Sequence, residues 1–307
     1  MMVDKEVLQS VKRNMIIYSI EGIAITAVNV PLVLIIVLIK RLRTCKEFLF
    51  IAGISVGDLI YTIGFTTVSL RRFVEPEGYD TMTTTRADCV KDFAITLYSI
   101  GNGVVGEMTL FTSIDRLLAT VFPIWHFRQR FWYTLTMCSI PLIISVIITS
   151  VNDYFVIRYD ENDPVFYMCF DATYPSLQPF ITAHRCGCVV LSALIYVVVS
   201  LMLYKKFAKH FNARTSKLNV LQRNNVVHAT ITMGLSTLNA FVLMLVPDIL
   251  IYSKMSRSPS IYLLLNSLIL NKIMVNFVLF LTRHREFRRV FWSIVTPKRK
   301  PAIIAPS

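Results

Sequence analysis

Two oppositely charged side chains stand next to each other in a strongly apolar part of the chain. They are Asp115 and Arg116, in the run LFTSIDRLLATVFPIW at residues 110–125. A charge in an apolar environment is costly unless it is paired or can reach water. The pair is therefore a candidate for a functional ion pair, or it is only a salt link in the core of a soluble protein.

A second candidate site surrounds Asp248, which directly follows Pro247 in another apolar stretch. Proline removes a backbone donor and kinks a helix, so Asp248 could be turned toward a cavity. A lone buried charge is costly, and we expect Asp248 to meet Arg185 or His184. This group is a polar anchor for a ligand, or it is only a structural pair, or Arg185 is a loop residue at the membrane surface.

No arrangement typical of catalysis accompanies these charges. The five histidines are scattered along the chain, and the sequence contains no metal motif, phosphate loop or nucleophile arrangement. We therefore predict no enzyme activity, no metal site and no cofactor.

The composition indicates a membrane protein. Hydrophobic residues make up 54% of the 307 residues and charged residues 17%, whereas soluble domains have about 45–50% and about 25%. A membrane-spanning helix needs about 20 apolar residues. Seven segments qualify: 15–39, 47–70, 92–114, 132–151, 179–203, 226–252 and 260–282. The prediction is an all-α membrane protein, a seven-transmembrane helix bundle.

Basic residues are concentrated on one side of this topology. The loops after the first, third and fifth segments and the C-terminal tail carry twenty Lys and Arg residues but only three acids, Glu47, Asp115 and Glu286. Cationic loops stay in the cytoplasm, so we expect the N-terminus outside the cell and the C-terminus inside. The net charge of +13 then faces anionic lipid and does not indicate nucleic-acid binding.

Motifs along nearly the whole chain resemble those of rhodopsin-like G-protein-coupled receptors. The matches fall in order on the predicted helices: Asn29 on the first, Asp58 on the second, Asp115 to Pro123 (DRLLATVFP, the DRY position) on the third, Tyr196 on the fifth, Pro247 on the sixth and Asn276 to Phe280 (NFVLF, the NPxxY position) on the seventh. REFRRVF, residues 285–291, looks like the amphipathic eighth helix of the family. The sequence is most similar to nematode serpentine chemoreceptors.

The resemblance implies a division of the chain into four parts. Residues 1–14 would form an extracellular N-terminus, 15–282 the seven-transmembrane domain, 283–294 helix 8 and 295–307 a cytoplasmic tail. The chain departs from the family pattern at several positions. Leu117 replaces the DRY tyrosine, Phe277 and Phe280 replace the NPxxY proline and tyrosine, and Leu245 stands where helix 6 usually has a tryptophan. These changes affect the family's locking details and leave the architecture as expected.

A disulfide and a switch are also implied by the resemblance. Cys89 would bond to Cys169 on the oxidising outer side, where disulfides persist. Asp115 would hold Arg116 at rest and release it toward a G protein on activation. The other expected switch residues are Pro123, Tyr196, Asn276 and Phe280. The alternative is that Arg116 is only an anchor that reaches lipid phosphates.

Asp58 has a different expected partner from the one usual in the family. The family's aspartate helps to hold a sodium ion. In this chain Lys272 lies four residues before Asn276, on the same helix face, and Val105 replaces the hydroxyl of the sodium site. We infer that the Lys272 ammonium replaces the ion and pairs with Asp58. The alternative is that Lys272 reaches a water-filled cavity elsewhere.

The ligand site is expected in the outer half of the bundle, between helices 3, 5, 6 and 7. Its candidate residues are Tyr98, Asn102, His184, Arg185 and Asp248. Tyr98 stands near the position where amine receptors carry an acid, so the sequence disfavours binding of a biogenic amine by that route.

The function predicted is that of a chemosensory receptor for an external small molecule, signalling through a heterotrimeric G protein. We expect it in the plasma membrane, including a sensory cilium, with a homo- or heterodimer as a further option. A neuropeptide or other hormone-type receptor of the same fold is the alternative. A ligand-gated channel or transporter is more remote, since the chain has no inverted repeat.

Overall fold

The computed structural model describes residues 5–74, 83–129, 131–160, 163–166, 169, 172–210, 230–252, 259–283, 287–289 and 291. Within these residues the chain forms seven long helices. They are α1 (Lys5–Leu38), α2 (Lys46–Val74), α3 (Phe93–Val121), α4 (Phe131–Tyr159), α5 (Gln178–His210), α6 (230–252) and α7 (Pro259–Arg283). Short helices cover Lys40–Arg43, Arg86–Lys91 and Pro123–Arg128, and two strands are β1 (Thr83–Thr85) and β2 (Pro164–Phe166).

The long helices have the length and composition needed to cross a bilayer. Five of them contain a sufficiently apolar span, located at Lys12–Leu38, Lys46–Arg71, Phe131–Tyr159, Gln178–Lys205 and Thr230–Ile251. The other two, α3 and α7, have 29 and 25 residues. At 1.5 Å per residue they measure about 43 and about 37 Å, which exceeds a hydrocarbon core of about 30 Å.

Helix ends differ from the predicted segments because hydropathy marks only the part of a helix that lies in lipid. The helix α1 begins at Lys5, within the stretch 1–14 that was predicted as a polar extracellular N-terminus. The ends of α3, α4 and α5 lie seven or more residues beyond the predicted ends. Hydrogen bonds from capping side chains determine where some helices begin. The Asp92 side chain accepts a hydrogen bond from the Ala94 amide at 3.0 Å and starts α3.

Of the predicted helix 8, residues 287–289 and 291 are described, and all four are helical. Phe287 is buried against the inner core, and its ring centroid lies 5.9 Å from that of Phe291. Arg288 and Arg289 are exposed. This one-sided pattern is typical of a helix that lies along a membrane surface.

Small residues bring α2 and α3 into direct backbone contact. A Cβ atom at Gly101 would overlap the backbone of Tyr61, and one at Gly64 would overlap the backbone of Tyr98. Membrane helices use such positions because the backbones can approach closely only where side chains are absent. The two helices therefore pack as one unit beneath the outer surface.

Two short strands from different loops and a disulfide lie at one end of the bundle, which is called the outer end below. The strands pair antiparallel, with Thr83 opposite Phe166. Cys89 and Cys169 are bonded, with their Cα atoms 5.5 Å apart, so the predicted disulfide is confirmed. Arg86 forms ion pairs with Asp160 and Asp163 beside the two strands. These contacts join Asp160, β2 and Cys169 to the segment that precedes α3.

The helix α6 contains a wide turn just before its proline. Residues Phe241–Leu245 form a π-helical turn, and Pro247 follows it. A proline cannot donate a backbone hydrogen bond and its ring crowds the carbonyl four residues earlier. A π turn relieves this conflict and often marks a functional position. The irregularity expected at Pro247 is therefore a widened turn at Phe241–Leu245.

Candidate functional site

A small cavity lies in the outer half of the bundle, between α3, α4 and α5 and next to Cys169, Ala172 and Thr173. Its volume is about 70 Å³. The lining residues are Tyr98, Ser99, Asn102, Gly103, Ser145, Ile148, Thr149, Asn152, Cys169, Ala172, Thr173, Ile181, His184 and Arg185. The cavity combines hydroxyl, amide and guanidinium groups with aliphatic side chains, which is the usual make-up of a small-molecule site.

Arg185 joins three helices at this cavity. Its guanidinium donates to the Asn102 Oδ1 atom of α3, and its Nη2 atom lies 2.5 Å from Asp248 Oδ1 of α6. The Asp248 side chain is only 2% exposed. Asp248 Oδ2 and Arg185 Nε are buried without a hydrogen-bond partner among the described residues. The sequence left two partners open for Asp248, and the structure pairs it with Arg185.

His184 has a different acid as its partner. Its Nε2 atom lies 2.9 Å from Glu107 Oε1 on α3, and its ring stacks on Phe180 with centroids 6.3 Å apart. No role for Glu107 was predicted from the sequence. Since the pairing depends on how α3 and α5 are rotated toward each other, only the presence of an acid and a histidine at similar depth could have indicated it.

The cavity coincides only in part with the expected ligand site, whose position stays a prediction. Tyr98, Asn102, His184 and Arg185 do line the cavity, but Asp248 does not. The helix α4 lines the cavity together with α3 and α5, whereas helices 6 and 7 were expected to contribute. A polar stripe at Ser145, Thr149 and Asn152 marks the face of α4 that lines the cavity. Its spacing of four and three residues places the side chains on one helix face, and this signal in the sequence was missed.

A polar network occupies the middle of the bundle. Lys272 Nζ lies 2.9 Å from Asp58 Oδ1, and both side chains are 2% exposed. Asn239 donates to the Lys272 carbonyl at 2.8 Å and to Asn276 Oδ1 at 3.0 Å. Ser236 donates to the same Asn276 oxygen at 2.9 Å. The network links α2, α6 and α7, and the lysine occupies the place next to Asp58.

Asp115 is held from two sides at the inner end of α3. Arg116 Nη2 lies 2.6 Å from Asp115 Oδ2, and His126 Nε2 lies 2.8 Å from Asp115 Oδ1. Asp115 is fully buried and Arg116 is 3% exposed. Glu47 of α2 approaches Arg116 at 3.9 Å. The acid thus uses both of its oxygens, and Arg116 has a second carboxylate nearby.

The short helix Pro123–Arg128 brings His126 back to Asp115. Pro123 lies in its first turn. Proline is favoured there because a backbone N–H at that position would have no partner within the helix. Lys46 donates to the His126 carbonyl and joins the same short helix to the start of α2. Sequence reasoning assigned Pro123 to the switch but missed His126 and Glu47, because neither lies near Asp115 in the chain.

The other predicted switch residues lie at different depths. Tyr196 and Phe280 are both buried in the inner apolar cluster, together with Phe287. Tyr196 faces α6, where a Cβ at Gly234 would lie 3.5 Å from its ring. Asn276 belongs to the polar network above them. Among the described residues, no group of three or more His, Cys, Asp or Glu side chains is placed to hold a metal ion.

The described residues form seven long helices with buried ion pairs at Arg116–Asp115, Lys272–Asp58 and Arg185–Asp248, an arrangement expected of a seven-helix membrane protein. Comparison with known families agrees over most of the chain. Residues 23–295 match the family of serpentine type seven-transmembrane G-protein-coupled receptor chemoreceptors called Srsx, and the chain belongs to this family. A comparison with curated proteins found no match. The resemblance to serpentine chemoreceptors, the seven-helix fold and the assignment to a non-enzymatic class are confirmed.

Proposed function

We propose that this chemoreceptor detects an external small molecule and activates a heterotrimeric G protein at the inner face of the plasma membrane. The carrying observation is the buried Asp115–Arg116 pair at the inner end of α3. The arginine is oriented and neutralised by an acid that His126 also holds. A partner that offers another acceptor to Arg116 can exchange with Asp115, and this exchange would couple docking to the state of the bundle.

The surface beside the pair supports docking of a protein. On the short helix and just before it, large apolar residues are exposed: Phe122, Ile124, Trp125 and Phe127. Clustered exposed apolar side chains mark surfaces that meet a protein or a membrane. Their position next to Arg116 fits a partner that contacts the surface and the switch together.

The size of the outer cavity supports a small ligand over a peptide. Its volume of about 70 Å³ is well below the range of about 300–1,000 Å³ that drug-sized ligands occupy. The neuropeptide alternative would require a much wider opening. Cys169 of the disulfide lines this cavity, on the side that the charge distribution assigns to the exterior.

The test is a signalling assay in cells that express the receptor with an extracellular epitope. Basal cyclic AMP and calcium are recorded for the wild type, Asp115→Asn and Arg116→Ala. We expect Asp115→Asn to raise the basal signal, because it removes the charge that holds Arg116. Arg116→Ala should abolish the signal, both alone and in combination with Asp115→Asn.

Arg128→Ala is the matched control, since Arg128 is an exposed arginine on the same side of the membrane. Epitope counts at the cell surface normalise each variant, and Arg116→Lys tests whether a loss reflects misfolding. Equal basal signals in the wild type, Asp115→Asn and Arg116→Ala, at equal surface levels, would contradict the proposal.

A further inference from the structure

We propose that the outer cavity binds a small alkyl carboxylate through the guanidinium of Arg185, and that this anion competes with Asp248. The inference rests on the proposed receptor function and specifies its ligand. It follows from three properties of the cavity: the charge on its wall, its size and its apolar side.

The permanent charge that faces the cavity is the Arg185 guanidinium. Its acidic partner Asp248 does not line the cavity, and neither does Glu107, the partner of His184. A molecule in the cavity therefore meets a cation without meeting a carboxylate. Arg185 is well suited to a carboxylate, because a planar guanidinium can offer two parallel N–H groups to its two oxygens. Asn102 fixes the orientation of the guanidinium from α3.

Size and lining limit the rest of the ligand. One water needs about 10–15 Å³ of such volume, so a cavity of about 70 Å³ holds about five or six water-sized groups. Ile148, Ala172 and Ile181 provide an aliphatic part of the wall. A carboxylate with a short alkyl chain, such as propionate or butyrate, satisfies both parts, whereas a bare inorganic anion leaves the aliphatic wall uncovered.

Competition for Arg185 gives the ligand a route to α6. Asp248 contacts the guanidinium through one oxygen, and its second oxygen is buried with no partner among the described residues. A ligand carboxylate that takes over the guanidinium leaves Asp248 uncompensated in an apolar site, which is unfavourable. Asp248 must then move, and the π turn at Phe241–Leu245 and Pro247 places a deformable segment directly before it.

The test measures ligand binding without a G protein. The purified full-length receptor is heated with propionate, butyrate, butylamine, butanol or nitrate, and stabilisation is followed against concentration. We expect butyrate and propionate to stabilise the wild type and the other three compounds to have no comparable effect. Stabilisation by butylamine or butanol without any by the acids would overturn the inference, and so would stabilisation by nitrate equal to that by butyrate.

Variants assign the effect to Arg185. Loss of one partner of a buried charge pair weakens binding by about thirtyfold or more, so Arg185→Gln should raise the apparent dissociation constant for butyrate by at least that factor. Arg158→Gln, at an exposed arginine near the outer end of α4, should leave it unchanged. Butyrate affinity that is equal in the wild type and in Arg185→Gln would overturn the inference.

A charge exchange keeps the ion pair and reverses its direction. In the double variant Arg185→Glu with Asp248→Arg, the acid faces the cavity, so butylamine should stabilise the receptor in place of butyrate. A folded double variant that still prefers butyrate would overturn the inference. Because binding is read from the receptor alone, failure of carboxylate binding is distinct from failure of G-protein signalling, which the Asp115 and Arg116 variants report.

Discussion

Lys272 and Asp58 form an ion pair where neither side chain reaches water. The lysine places a covalently attached cation beside the acid, so a mobile cation has no charge left to neutralise there. Removing one member leaves the other uncompensated, which costs about 3–5 kcal/mol for buried pairs. Replacing both with apolar residues is often close to neutral.

We therefore predict that Lys272→Met lowers the free energy of unfolding by about 3–5 kcal/mol, and that Asp58→Leu in the same chain recovers most of this loss. Thermal denaturation of the purified receptor measures both effects. Lys205→Met, at an exposed lysine near the end of α5, is the control. Wild-type stability should be the same in sodium chloride and choline chloride, and a clear stabilisation by sodium would contradict the assignment.

Individual pairings were predictable only where a spacing or a motif fixed the relative position of two helices. Lys272 could be placed near Asp58 because it stands one helical turn from Asn276. The contacts of His126 with Asp115 and of His184 with Glu107 depend on where a short helix turns back and on how α5 is rotated. A hydropathy profile shows neither the turn of the short helix nor the rotation of α5, so these contacts could be found only in the structure.

At the level of elements, the close approach of α2 and α3 depends on glycines at Gly64 and Gly101. We predict that Gly101→Ala destabilises the receptor by about 1–3 kcal/mol, the usual cost of overpacking, because the new methyl group would overlap the backbone of Tyr61. Gly187→Ala on α5 is the matched control, since no atom lies within 4 Å of a Cβ at that position.

The midpoint of thermal unfolding of the purified variants measures this difference. Gly187→Ala should be neutral or slightly stabilising, because alanine is the better helix former. If Gly101→Ala were as stable as Gly187→Ala, the backbone contact between α2 and α3 would not exist in the folded receptor.

The existence and order of the long helices could be predicted from apolar runs, but their ends could not. Polar residues that continue a helix beyond the lipid, such as those after residue 151 in α4, look like a loop in a hydropathy profile. The wide turn in α6 was likewise predictable only in part. Pro247 indicates a distortion, whereas its position at Phe241–Leu245 depends on which hydrogen bonds the helix gives up.

For the whole molecule, the one-sided distribution of basic residues predicts the orientation in the membrane. An epitope added before Met1 should be labelled on intact cells, and one added after Ser307 only after permeabilisation. The reason is that twenty Lys and Arg residues against three acids lie on the side of the C-terminus, and cationic loops remain in the cytoplasm. The opposite labelling pattern would rule out a G protein acting on Arg116 from inside the cell.

Because the cavity lies beside α4, a substitution that changes ligand fit can be separate from one that changes the transmission of binding to α6. Ile148 and Thr149 contribute to the wall, while the proposed coupling to α6 depends on Arg185 and Asp248. Under this proposal, substitutions at the two α4 positions change which molecule fits and leave the transmission to α6 unaltered. Ligand preference can then diverge between related receptors one α4 side chain at a time.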